Sequence, residues 1–127
     1  MKLIEADWPA PAHIRAVTTT RQGGVSEAPF NSLNLGDHVD DAPEAVAANR
    51  QQLLTMLGLA TPPQWLQQVH GTEVVEALSD GEVRTADACW SDQPGQGCIV
   101  MTADCLPVCF TDQAGSRVAV AHAGWRG

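Results

Sequence analysis

Positive charge is scarce in this 127-residue chain: seven Lys and Arg stand against fifteen Asp and Glu, the formal net charge is -8, and no two basic residues are adjacent. A surface of that sign repels polyanions, which argues against nucleic acid or an anionic membrane as a partner. Long apolar runs are lacking too. The opening MKLIEADWPAPAH has acidic residues and prolines where a secretory signal needs an uninterrupted apolar core, and no later run is long enough to span a bilayer. These absences predict a cytoplasmic protein. No CxxC pair occurs, which argues against a structural zinc knuckle. In a reducing compartment Cys89, Cys98, Cys105 and Cys109 read as thiols or metal ligands, not as two disulfides. Internal repeats and low-complexity segments are absent as well.

What is present fits one domain by length. HIRAVTTT (13–20) is rich in β-branched residues and reads as a strand, and RQGGVSEAPFNSLNLGDHVDDAP (21–43) reads as a long loop with apolar anchors. APEAVAANRQQLLTMLG (42–58) predicts a helix supporting a sheet. Val46, Leu53, Leu54 and Leu57 recur at helical spacing, Asp41 and Glu44 have capping-box spacing, and Gly58 can close the end. Strands are predicted at 64–71, 73–79, 98–104, 106–112 and 117–124, with DQAGS (112–116) as a tight turn and 80–97 as a punctuated connection. Pro107 cannot donate to a ladder, so a bend or bulge is expected beside Cys105. The runs at 98–101 and 118–121 are apolar at both alternating sets of positions, which asks for cover on both faces. The chain stops at Gly127 without a closing element, so the expectation is a truncated domain with an apolar patch and an unpaired edge after residue 117, or cover supplied by self-association of two copies.

Three residues at or near predicted strand ends carry the chemistry: His70, Cys105 and His122. Two imidazoles and a thiolate suit zinc and leave one tetrahedral position open; the same set suits copper. A metal-free pair, with Cys105 as nucleophile and a histidine as base, is the alternative, although the charge on Asp104 disfavours a thiolate beside it. Asp104 could instead orient a ligand histidine or hold a turn. Asp87 reads as a turn residue or as an orienting carboxylate. Among the seven basic residues, Arg21 before Gly23 and Gly24, and Arg126 between Gly124 and Gly127, are the candidate anion clamps.

In order along the chain, TTTRQGGVSEAPFNSLNLGDHVDD, NRQQLL, WLQQVHG, ADCLPVCF and AVAHAGWRG resemble the successive signatures of the bacterial multicopper polyphenol oxidase, or laccase-domain, family, whose members are now regarded as purine nucleoside phosphorylases. The resemblance covers roughly the first half of a family member, so residues 1–127 would be the N-terminal half of a single domain. It implies an α/β (α+β) layered sandwich with a mixed sheet, cysteine-hydrolase-like in outline, and metal ligands at His70, Cys105 and His122. The implied reaction is phosphorolysis of adenosine, guanosine or inosine to free base and ribose 1-phosphate. Methylthioadenosine phosphorolysis and adenosine deamination are implied as side activities. Purine nucleosides and inorganic phosphate are then the partners, and Arg21 with the donors around Gly23 and Gly24, plus Arg126, become the candidate phosphate cradle. Asp87 is one candidate for protonating the departing purine. A copper-dependent polyphenol oxidase shares the ligands, but four histidines in all cannot build several copper centres. A non-enzymatic protein, or one that corrects peptidoglycan precursors, would need only the fold and the site.

Overall fold

The computed structural model describes residues 1–124, which fall into two compact units. The first unit comprises Met1–Trp8 and Arg15–Gly58. In it β1 (Leu3–Glu5) pairs antiparallel with β2 (Val17–Thr19), so the strand expected over 13–20 is confined to three residues. The helix α1 spans Pro43–Leu57 and ends on Gly58, whose φ of 68° is the left-handed conformation that lets its N–H reach the carbonyls of Leu54 and Thr55. The capping box does not form. Asp41 lies one residue too early: its carboxylate accepts from the Ala42 N–H, the Ser26 hydroxyl and the Asn34 amide, while Ala42 occupies the cap position.

Polar side chains of α1 serve a loop. Asn49 is fully buried; its Oδ1 accepts from the Val25 N–H at 2.8 Å and its Nδ2 donates to Ser26 Oγ and Asn34 O, both at 2.8 Å. Arg50 Nε donates to Leu35 O at 2.8 Å. A loop without its own ladder leaves peptide groups to satisfy, and side chains of the helix satisfy several of them here.

The second unit comprises Pro9–Ile14 and the chain from Leu59 onward. Two short strands, β3 (Leu66–Gln67) and β5 (Arg84–Thr85), run parallel. A four-stranded mixed sheet is formed by β4 (Val74–Glu76), β6 (Ala88–Ser91), β7 (Leu106–Thr111) and β8 (Val118–Ala123), in the order β4-β6-β8-β7. The β4-β6 pair is parallel and the others antiparallel. Leu66, Ala77, Ala86, Cys89 and Val120 form its core, with Val75, Cys98 and Val100 packed against them.

Three expectations change. The 80–97 connection contains β6, an interior strand. Its buried residues are Cys89 and Ser91, small side chains with weak strand preference, set among Asp, Gly and Pro. The strand expected at 98–104 does not form beyond one bridge between Gln64 and Cys98. There the Gln68 side chain takes both the N–H and the C=O of Met101, each at 2.7 Å, so the backbone is satisfied without a ladder. Finally, β8 has no unpaired edge, because β6 and β7 flank it.

The β7-β8 register runs without interruption from Leu106↔Ala123 to Thr111↔Val118, and places Pro107 opposite His122. Pro107 therefore causes no bulge; the chain bends at Ala103–Cys105, just before the strand. The 112–116 turn forms as expected, with the Asp112 carboxylate accepting from the N–H and hydroxyl of Ser116. On β7, Leu106 and Phe110 remain 63% and 52% exposed. Among the described residues no helix is long and apolar enough to cross a membrane.

Candidate metal centre

The site grows from the connection after β3. His70 adopts φ 59°, a left-handed conformation uncommon for a residue with a Cβ. It is held there by the carboxylate of Asp87, which lies directly before β6. Val69 and Gly71 N–H groups donate to Asp87 Oδ1 at 3.0 and 2.9 Å, and the His70 N–H donates to Oδ2 at 3.0 Å. The same Oδ2 lies 2.9 Å from Nδ1 of His122, near the end of β8. The Asp87 and His122 side chains are only 3% and 4% exposed. Burial by itself pushes the Asp87 carboxyl up, but the hydrogen bonds from His122 and from the Gly71, Val69 and His70 amides outweigh it and hold Asp87 below the usual carboxylate range.

With Nδ1 tied to Asp87, His122 offers Nε2 to its surroundings. The rings of His70 and His122 meet edge to face with centroids 5.0 Å apart. Cys105 Sγ lies 4.0 Å from His70 Nε2, and its thiol lies 3.5 Å from Asp104 Oδ1. One ligand atom from each of His70, Cys105 and His122 falls within 4.8 Å of the other two. Tetrahedral zinc with ordinary Zn–N and Zn–S bonds asks for ligand atoms about 3.4 to 3.6 Å apart, somewhat closer than the 4.8 Å that bounds these three. Gly124 keeps that space open: a Cβ there would stand 3.3 Å from His70 Cδ2.

The donor set therefore fits a borderline-soft ion with nitrogen and sulfur ligands. Among the described residues no disulfide draws on the four cysteines. Cys89 is buried in the core, and the Cys98 thiol is pushed up by its hydrogen bond with Cys89 and by burial.

The candidate anion residues lie elsewhere in the chain. Arg21, Gly23 and Gly24 belong to the first unit. Arg21 Nε donates to Asn31 O at 3.0 Å, and the Arg21 carbonyl accepts from the N–H groups of Ser32 and Leu33. Gly24 donates its N–H to Ser32 Oγ at 3.1 Å, so that donor is already engaged. Both glycines also have steric reasons: a Cβ would come within 2.4 Å of Met1 Cα at Gly23 and 2.1 Å of Ser32 O at Gly24. Arg126 lies outside the described residues. Two contributors escaped sequence reasoning, the clamp of Gln68 on Met101 and the clearance at Gly124. The first has no local signature; the second was readable only as a turn glycine.

The family model for multi-copper polyphenol oxidoreductase laccase matches residues 15–127. The chain belongs to that family. A Pseudomonas aeruginosa protein named purine nucleoside phosphorylase is 61% identical over 124 residues, covering 98% of this chain and 50% of its own length. Purine nucleoside phosphorylase YfiH of Escherichia coli is 50% identical over 127 residues, covering 99% and 52%. The crystal structure of a Neisseria meningitidis protein of family-model DUF152 superposes with a TM-score of 0.92 at 52% identity, over 98% of this chain and 51% of that one. The chain thus spans about half the length of the curated relatives it matches.

Proposed function

We propose that this chain carries the metal centre of a purine nucleoside phosphorylase, which cleaves adenosine, guanosine or inosine with phosphate to free base and ribose 1-phosphate. Adenosine deamination and methylthioadenosine phosphorolysis are its side activities in this reading, residues 1–127 are the N-terminal half of one laccase-like domain, and the protein works in the cytoplasm on small substrates, not on nucleic acid. The observation that carries the reading is the convergence of His70, Cys105 and His122 in a chain whose near relatives bear that name.

Zinc is the ion the donor set favours, and when bound it would supply Lewis-acid polarisation at the open position. The chain's own residues do the rest. His122 presents Nε2 because Nδ1 is occupied, and His70 is aimed by its turn. Cys105 serves as a ligand thiolate and not as a free nucleophile, since Asp104 at 3.5 Å disfavours the anion unless a cation is at hand. Asp87 is ionised and accepts from four donors, so it has no proton to give the leaving purine. In a chain of net charge -8 phosphate needs a local cation, and Arg21, whose Nε alone is engaged among the described residues, supplies it in this reading together with Arg126.

A copper oxidase of phenols would use the same three ligands. The described residues gather two histidines at this site, and His13 is bonded to Gly115 O instead. Phosphate-dependent release of hypoxanthine from inosine by the full-length protein tests the proposal. Release that needs phosphate and ceases on chelation is expected; phenol oxidation without nucleoside cleavage would overturn it.

A further inference from the structure

Resting on the metal-site reading above, we infer that Asp87 is the positioning residue of the centre, setting both histidines at once through two chemically different holds. Its Oδ1 receives Val69 and Gly71 N–H, and its Oδ2 receives His70 N–H and His122 Nδ1, all between 2.9 and 3.0 Å. One hold is on backbone. It fixes the left-handed His70, at φ 59°, within three consecutive donors. The other is on a ring. A carboxylate only accepts, so in the neutral ring of His122 the proton sits on Nδ1 and Nε2 is left bare for a ligand bond. A further hydrogen bond, from the His122 N–H to the Asp87 carbonyl at 2.7 Å, ties the same two residues through the main chain.

Every partner of this carboxylate is a donor, which makes Asp87→Asn an informative change despite its near-identical shape. If the amide NH2 takes the place of Oδ2, it opposes the His70 N–H and obliges His122 Nδ1 to accept, moving the ring proton to Nε2 and blocking it. If it takes the place of Oδ1, it opposes the N–H groups of Val69 and Gly71 and undoes the turn that aims His70. Either orientation costs one histidine.

The test has two arms on the full chain. In the first, zinc affinity is measured by chelator competition; Asp87→Asn is expected to bind on the order of 10–100-fold more weakly than the unmodified chain, with far-UV circular dichroism retained. In the second, the imidazole ¹⁵N shifts of His122 are recorded in the unmodified, metal-free chain at a pH where the ring is neutral, and a protonated Nδ1 with a bare Nε2 is expected. Equal zinc affinity in a folded Asp87→Asn overturns the inference, as does a neutral His122 ring protonated at Nε2 and bare at Nδ1. If the variant does not fold, the tautomer of the unmodified chain decides. Absence of zinc binding in the unmodified chain sinks the metal reading itself, and the tautomer then decides alone whether Asp87 governs His122.

Discussion

Asn49 and Asp87 do similar work in different units: each is a buried polar side chain that organises a stretch of irregular backbone. Their surroundings differ in one respect. Asn49 faces a mixture, accepting from Val25 and donating to Ser26 and Asn34, whereas Asp87 faces donors alone. A neutral amide suffices where the aim is to hold a loop. Burying a charge is costly, and the chain does it where a histidine ring must keep a particular nitrogen free.

The largest expected effect is on the Asp87 side. Cys105→Ala should abolish stoichiometric zinc in the purified full-length protein while leaving its metal-free fold intact, because the 69–71 turn is held by Asp87 and not by the thiol. Equal zinc content in variant and wild type would remove Cys105 from the ligand set.

Asn49→Asp sharpens the comparison from the other side. A carboxylate there would still accept from Val25 but would oppose the Asn34 carbonyl without water to screen it, and the loss of the amide donor should destabilise by roughly 2–4 kcal/mol. Urea unfolding measures this, and zinc affinity per folded molecule should be unchanged. A shift of under about 0.5 kcal/mol, within the usual range for surface substitutions, would show that the amide's donor bonds are dispensable.

Arg21→Met asks whether the Asn49-held unit is scaffold alone. Loss of a charge-assisted hydrogen-bonding partner for phosphate predicts roughly a tenfold to hundredfold fall in inosine phosphorolysis, with zinc content unchanged and adenosine deamination much less affected. Parallel losses in both activities would assign Arg21 to folding or to purine binding.

The smallest effect lies outside both regions. The Asp80 carboxyl is lowered to about 2, first by its hydrogen bonds from Arg84 and then by the Glu82 N–H. Because the folded value lies below the unfolded one, its contribution is present above the ordinary carboxylate range and fades as pH falls toward 2. Asp80→Asn should therefore flatten acid unfolding slightly in that window and change nothing at pH 7 in zinc binding; an unaltered acid limb would mean the exposed pair contributes nothing.

Legibility in the sequence followed physical cause. The hairpin of β7 and β8 and the helix α1 were readable because local pattern and tertiary role coincide: apolar runs flank a turn that Asp112 closes, and Gly58 ends a helical periodicity. At 98–104 they diverge, since Cys98 and Val100 are apolar to serve the core while Gln68 satisfies the backbone. At β6 a central strand of four residues, Ala, Cys, Trp and Ser, is too short to show an alternating pattern. The three candidate ligand residues could be found near the ends of predicted strands, but nothing local distinguishes Asp87 from Asp104, as the clamp depends on residues that fold in from 69–71 and from 122.

The His122 N–H points to the Asp87 carbonyl, toward the β6 side, so its pairing with Pro107 is the type in which neighbouring strands exchange no hydrogen bonds. The nitrogen of Pro107 consequently faces away from β8, along the outer margin of the four-stranded sheet. At that position an ordinary residue would offer a donor to any passing strand, and proline withholds it without loosening the sheet behind it. Among the described residues β7 pairs with β8 alone, so on its other side the strand carries one backbone donor fewer, beside the exposed Leu106 and Phe110.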